Sequence, residues 1–255
     1  MSTRGVALEG VNTRYALHSR VLDVVLTLLI VPVVAPVALL IALAVALDSP
    51  GPVLFRSIRV GRDGRLFCML KFRTMRHRTS GPRITCAEDR RHTPLGRILA
   101  ISRLDEIPQV CNVLRGDMRL VGPRPELEPF VAQEADSYRR ILSVPPGVTG
   151  RTQLVYADEG RLLALAEDPE RFYLNDLLPK KVQLDLRYVA RSTPLGDLAI
   201  FAQTWLVPLR RLARVGGEYP RSATRAGLAM AMAMSLVLAS IAMIAAFAVE
   251  SAAAF

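Results

Sequence analysis

The chain has 255 residues, enough for one medium domain plus membrane elements. Its formal net charge of +10 asks for an anionic partner: nucleic acid, an acidic membrane surface or a phosphorylated substrate. Cys68, Cys86 and Cys111 are odd in number and lack metal-ligand spacing, which excludes a disulfide framework and a zinc module.

Residues 1–20 form a basic tail ending at Arg20. Val24 to Leu47 then carries no charge and, as a helix, is about 36 Å long, enough for a bilayer. It is not read as a signal peptide, because the apolar run is too long, too far from the start and not followed by a small-residue cleavage site. Pro32 and Pro36 each remove a backbone donor and favour a kink. Arg14 and Arg20 precede the segment, and Arg56, Arg59, Arg62, Arg65 and Lys71 lead a basic series after it, so both flanks favour the cytoplasmic side. Charge leaves two topologies open. One is a bent spanning helix; the other is a re-entrant helix over residues 21–48 that breaks near Pro36 and returns, with Asp23 at the interface beside Arg20.

Ser49-Pro50-Gly51-Pro52 punctuates the exit. Val53 to Phe55 and Leu66 to Leu70 flank an Asp63-Gly64 turn, which predicts a β-hairpin. Thr79 to Arg91 is a polar loop, and Thr93-Pro94 supplies a helix cap and first position. Asp105 and Glu106 open a short helix-like segment that stops at Gly116-Asp117. A short extended run then leads to a rigid Gly122-Pro123-Arg124-Pro125 corner. Helices are expected over Glu126 to Arg140 and Gly160 to Asp168, with Pro145-Pro146-Gly147 between them. Pro179 to Arg191 is amphipathic, with Val182, Leu186, Val189 and Ala190 on one face. Thr193-Pro194 starts a helix to about Leu212, in which Phe201, Trp205 and Leu206 suit either a membrane interface or the domain core.

After a basic linker, 214–225, Ala226 to Val249 is uncharged, and no base follows Glu250. That asymmetry predicts a crossing helix with the 250–255 tail outside. The fold class is therefore mainly α with a small β-hairpin (α+β). A domain over residues 49–213 lies between the N-terminal membrane helix and the C-terminal transmembrane helix.

The Asp105-Glu106 pair is the first candidate for chemistry, although acidic pairs are common at helix starts. Backbone N–H groups at a helix start would keep Asp105 ionised and hold phosphate oxygens. Lys71, Arg73 and Arg124 are candidates to bind a diphosphate, with Pro123 and Pro125 fixing the backbone of Arg124. Arg151 and Gln153, after a glycine turn, are weaker nucleotide-side candidates, and His18, His77 and His92 lack a triad or ligand arrangement. Nucleic-acid binding is disfavoured: no such motif appears, and the bases cluster beside apolar spans, where anionic membrane lipid is the expected partner. A membrane scaffold without catalysis is the competing class, and it predicts that Asp105→Asn leaves function intact.

These landmarks, in order, resemble the bacterial sugar transferase family, the monotopic polyprenyl-phosphate phosphoglycosyl transferases. They are Arg20-Val21-Leu22-Asp23, Asp48-Ser49-Pro50-Gly51-Pro52-Val53, Arg59-Val60-Gly61-Arg62-Asp63-Gly64 and Lys71-Phe72-Arg73-Thr74-Met75. The Asp105-Glu106 block with its Gly-Pro-Arg-Pro corner and Pro146-Gly147-Val148-Thr149-Gly150 complete the set, from about Arg20 to Trp205. The resemblance implies a re-entrant anchor using Arg20, Asp23 and Pro36, and a cytoplasmic catalytic domain at the bacterial inner membrane. It implies transfer of a sugar-1-phosphate from a UDP-sugar to polyprenyl (undecaprenyl) phosphate with release of UMP, and magnesium as cofactor. The class-level role is to start exopolysaccharide, capsule or O-antigen assembly. In this frame Asp105 is the nucleophile, through a phosphosugar-aspartyl intermediate, and Glu106 ligates Mg2+ with it or orients the second nucleophile. Lys71, Arg73, Arg124, Pro125, Arg151 and Gln153 line the donor. Direct transfer in a ternary complex is the alternative route. The chain departs from the family pattern at Ala35, where a serine usually precedes the proline, and at Ala100, where an arginine usually stands. Arg97 and Arg103 are the nearby replacements for that arginine. The C-terminal span lies outside the family core.

Overall fold

The protein is described from a computed structural model, which covers residues 13–214 except residue 88. The linker 215–225, the expected crossing helix Ala226 to Val249 and the side chains of Trp205 and Leu206 lie outside the described residues.

A long helix, α1 (Thr13–Asp48), opens the fold, and its Arg20–Asp48 portion is long and apolar enough to cross a membrane. Helical structure runs without interruption through Pro32 and Pro36, so any change of direction there occurs within a continuous helix. One face carries Leu26, Ile30, Val34, Ile41 and Val45 into the core at near four-residue spacing. Leu28, Leu29, Leu39, Leu40, Leu43 and Leu47 stay exposed, a leucine surface that water would leave costly.

Polar side chains hold both ends of α1 to the same domain. Near the start, Arg20 donates to the carbonyls of Val113 and Leu114. Asp23 accepts from Arg119 at 2.9 Å and from the Leu120 amide. The expected Asp23–Arg20 proximity is therefore replaced: Arg20 satisfies carbonyls left free at a helix end, and Asp23 meets a buried arginine. At the far end, Arg73 donates to the carbonyls of Val45, Ser49 and Pro52.

The hairpin forms as expected but longer, with β1 (Leu54–Val60) and β2 (Leu66–Phe72) antiparallel and Leu54 opposite Phe72. Asp63 and Gly64 take positive φ at the turn. Helix α2 (Pro94–Ser102) starts as read, with the Thr93 hydroxyl accepting from the Gly96 amide at 2.9 Å. Then come α3 (Gln109–Arg115) and β3 (Arg119–Val121). The single helix expected over Glu126 to Arg140 is divided at Glu134 into α4 (Glu128–Gln133) and α5 (Ala135–Ile141).

Strand β4 (Gly147–Thr149) pairs in parallel with β3. The backbones meet so closely that a Cβ on Gly147 would lie 2.0 Å from the Gly122 amide nitrogen, and one on Gly150 2.2 Å from the Gly122 oxygen. This contact explains the glycines of the Pro-Gly-Val-Thr-Gly segment: they let it lie against the base of the Gly-Pro-Arg-Pro corner.

The chain continues through α6 (Arg151–Val155), α7 (Glu159–Ala164), α8 (Pro169–Phe172), a wide turn at Tyr173–Leu177, α9 (Leu178–Arg191) and α10 (Pro194–Arg214). In α9 the buried positions are Leu178, Lys181, Val182, Asp185 and Tyr188, while Ala190 is exposed. The buried stripe is rotated from the expected face and includes two charges. Two apolar clusters result. One joins α1, β2, α2, α3, β3 and α10, including Phe201; the other joins α5, α7, α9 and Tyr173.

Candidate active site

Asp105 and Glu106 occupy a tight turn, Leu104–Glu106, that precedes α3. Both lie in the first turn of a short 3-10 helix. Pro108 then separates this turn from α3. Arg103, left-handed at φ 59°, turns the chain out of α2 and into this position.

Cations surround the pair. Lys71 Nζ, from β2, lies 3.0 Å from Glu106 Oε1 and 3.9 Å from Asp105 Oδ2. Arg124, on the proline-flanked corner, reaches Glu106 at 3.5 Å, and Arg103 reaches it at 3.8 Å. Arg103 also donates to the Gln153 carbonyl, tying the pair to α6. Of the two arginines near the Ala100 departure, Arg103 is therefore the one that meets Glu106.

These neighbours divide the two carboxyls. Burial raises the Asp105 carboxyl to about 6; Lys71 opposes the rise, and the Glu106 charge reinforces it. Burial acts in the same direction on Glu106, but Lys71, Arg124 and Arg103 together overcome it and hold that carboxyl well below the usual range. Well above pH 6 both are charged, and on acidification Asp105 takes the first proton.

Beside the pair is a second polar group. Glu126, 6% exposed, accepts from Tyr173 Oη at 2.9 Å and from Lys181 Nζ at 3.2 Å. Arg59 lies 3.8 Å from its other oxygen and donates to the Pro125 carbonyl. Asp185 accepts from the Thr152 hydroxyl, and burial raises its carboxyl to about 7. Arg124 contacts Glu106 and also feels the charge of Glu126.

The remaining sequence candidates fall differently. Pro125 is buried at the corner and its carbonyl is held by Arg59. Gln153 is buried on α6 with neither side-chain atom hydrogen-bonded, while Arg151 is exposed outside the cluster. Arg73 does not join the pair. The residue is 6% exposed, and its bonds to the Val45, Ser49 and Pro52 carbonyls close the end of α1, a structural role. Sequence reading missed the buried polar group of Lys181, Tyr173, Glu126 and Asp185. The available signal was Lys181 and Asp185 at i, i+4 beside Leu178 and Val182, a pattern that puts charges on the buried stripe.

The model of the bacterial sugar transferase family matches residues 14–211. This chain belongs to that family. The UDP-glucose:undecaprenyl-phosphate glucose-1-phosphate transferase of Caulobacter vibrioides is 46% identical over 193 residues, 74% of this chain and 68% of that protein. The enzyme of the same name from Escherichia coli (strain K12) is 36% identical over 202 residues, 76% of this chain and 40% of that protein. The UDP-N-acetylgalactosamine-undecaprenyl-phosphate N-acetylgalactosaminephosphotransferase of Aeromonas hydrophila is 38% identical over 158 residues, 58% of this chain and 37% of that protein. The sugar transferase described here therefore spans well under half of two of these relatives. The three names also specify two different sugars.

Proposed function

We propose that this sugar transferase moves a sugar-1-phosphate from a UDP-sugar to undecaprenyl phosphate at the cytoplasmic face of the bacterial inner membrane, releasing UMP. The carrying observation is the Asp105–Glu106 pair, with Asp105 buried, under Lys71, Arg103 and Arg124, on a domain that holds an apolar helix of membrane length. One substrate is a soluble anion and the other stays in the bilayer, so the chemistry has to sit where these two features meet. The product would start exopolysaccharide, capsule or O-antigen assembly.

Asp105 attacks the phosphorus that bears the sugar. The anhydride bond to the UMP phosphate breaks, UMP leaves with the electron pair, and an acyl phosphate remains on Asp105. An oxygen of the lipid phosphate then attacks the same phosphorus, the acyl–phosphate bond breaks, and the carboxylate returns. Lys71 and Arg124 oppose the charge on the diphosphate oxygens as the anhydride opens. Glu106, kept ionised, holds Lys71 and orients the incoming lipid phosphate.

Among the described residues no group of three or more His, Cys, Asp and Glu side chains could hold a metal. The hard oxygens of Asp105 and Glu106 nevertheless suit magnesium, which takes its other ligands from diphosphate and water. When bound, it would neutralise diphosphate charge.

The re-entrant topology fits the anchoring at both ends: Arg20 and Asp23 near the start of α1, and the carbonyls of Val45 and Ser49 at its end, all engage one domain. The basic flanks then both face anionic lipid on one side. Cysteine labelling at Val33 and Ala35 from outside the cell should fail if the helix turns back, and efficient outside labelling would refute this topology.

Purified protein incubated with UDP-sugars and magnesium, without lipid, should release one UMP per active site and gain a sugar-phosphate mass on Asp105. Asp105→Asn should abolish both. Full activity in that variant would overturn the reading, whereas turnover with lipid but no adduct or UMP exchange would favour direct transfer.

A further inference from the structure

Taking the proposed reaction as its basis, we propose that Lys181 is a positioning residue: it occupies Glu126 and thereby leaves Arg124 free to face Glu106 and the donor diphosphate. Lys181 comes from α9, far along the chain from Asp105, and would touch no substrate. It is 4% exposed and lies 3.2 Å from Glu126 Oε1, 3.2 Å from Glu159 Oε2 and 2.9 Å from Tyr173 Oη. This one ammonium therefore joins the corner, α7 and the turn before α9.

The reason such a residue is needed lies in Arg124. Its side chain is 30% exposed and its contact with Glu106 is long, at 3.5 Å. It is also drawn to three carboxylates, Glu106 most strongly, then Glu126 and Glu159. Glu126 is only two residues away and is buried, and a buried carboxylate left without a partner is costly. With Lys181 in place, Glu126 receives an ammonium and a phenol. Burial and the adjacent Glu126 keep the Tyr173 phenol protonated, so it remains a donor.

Remove Lys181 and the supply changes. Arg59 is 3.8 Å from Glu126 and already donates to the Pro125 carbonyl. Arg124 is then the mobile cation on the same corner. It turns toward Glu126, and the Glu106 side loses the guanidinium that would meet the diphosphate. Gln153 and Asp185, also buried nearby, supply no positive charge to replace it.

The test is Lys181→Met, assayed by UMP release and lipid-linked product per folded active site, with folded protein quantified by size exclusion. Turnover should fall by about tenfold or more, the loss of about 1.4 kcal/mol or more of transition-state stabilisation. KM for the UDP-sugar should rise as well, because Arg124 would no longer meet the donor diphosphate. Adding Glu126→Gln to Lys181→Met removes the buried and stronger of the two competing anions and should bring both readouts back to within about threefold of wild type. A lysine that serves stability alone would change the melting temperature and folded yield while leaving turnover per folded site and the donor KM in place.

Folded Lys181→Met with wild-type turnover, or a double variant as slow as the single one, would overturn the proposal. If Lys181→Met does not fold, the double variant decides alone: near-wild-type turnover supports the linkage and a large loss refutes it. Wild-type protein that releases no UMP from any UDP-sugar would refute the reaction and not the linkage. Thermal stability then reads the linkage by itself. Arg124→Gln should cost more in the Lys181→Met background than in wild type, and equal costs would overturn it.

Discussion

Replacing Lys71 with methionine tests how the carboxylate pair is set. Lys71 Nζ lies 3.9 Å from Asp105 and is the strongest influence lowering its carboxyl against burial. At an effective dielectric of about 20, unit charges at this separation interact by about 4 kcal/mol, or about 3 pH units. Solvent at the open side and relaxation of the pair cut this to about 2 units. The acid limb of UMP release, expected at about 6 in wild type, should therefore move to about 8 in Lys71→Met. At pH 7 the ionised fraction of Asp105 falls from about nine-tenths to about one-tenth, an approximately tenfold loss of kcat/KM that pH 9 restores. The assay is single-turnover UMP release from pH 5 to 9, with the melting temperature followed at each pH. A loss equal at all pH values would refute the electrostatic role and show that Lys71 acts by holding the diphosphate alone.

Other consequences follow from the same geometry. Asp185 has a carboxyl raised from 3.8 to about 7, so the folded state keeps a proton that the unfolded state releases. Stability should thus fall as pH rises from about 4 to about 7, by about 2–4 kcal/mol. Asp185→Asn should flatten that fall in thermal melts at pH 5 and pH 8. Arg73→Met leaves three carbonyls at the end of α1 without their cation and should cost about 2–4 kcal/mol of stability. Protein that still folds should keep its KM for the donor, whereas a raised KM with unchanged melting would restore the phosphate role for Arg73. Gly147→Ala drives a methyl into the Gly122 backbone and should destabilise by about 3 kcal/mol, read as a lower melting temperature and loss of the Arg124-dependent rate.

Local patterns in the sequence already contained the hairpin turn, the Thr93 cap, the membrane-length helix and the Asp105, Glu106, Lys71 and Arg124 quartet. Each depends on chemistry within a few residues, or on a side-chain type whose use is narrow. The division at Glu134 was not legible, because helix propensity continues through it and tertiary packing decides where the chain bends. Arg73 shows the same limit from the other side. A basic residue near a phosphate site is chemically suited to bind phosphate, and only the neighbouring carbonyls of α1 reveal what it does.

By itself, then, the sequence determined which segment could enter a membrane, which residues could carry phosphate chemistry and which family they belong to. Hydropathy and residue type are properties of single positions or short runs. Only the tertiary structure decided which cation meets which carboxylate: Lys71 and Arg124 on Glu106, Lys181 on Glu126, Arg119 on Asp23. These partners lie many residues apart and their charges are interchangeable in composition. Burial and distance, which fix the strength of each pair, exist only once the chain has folded.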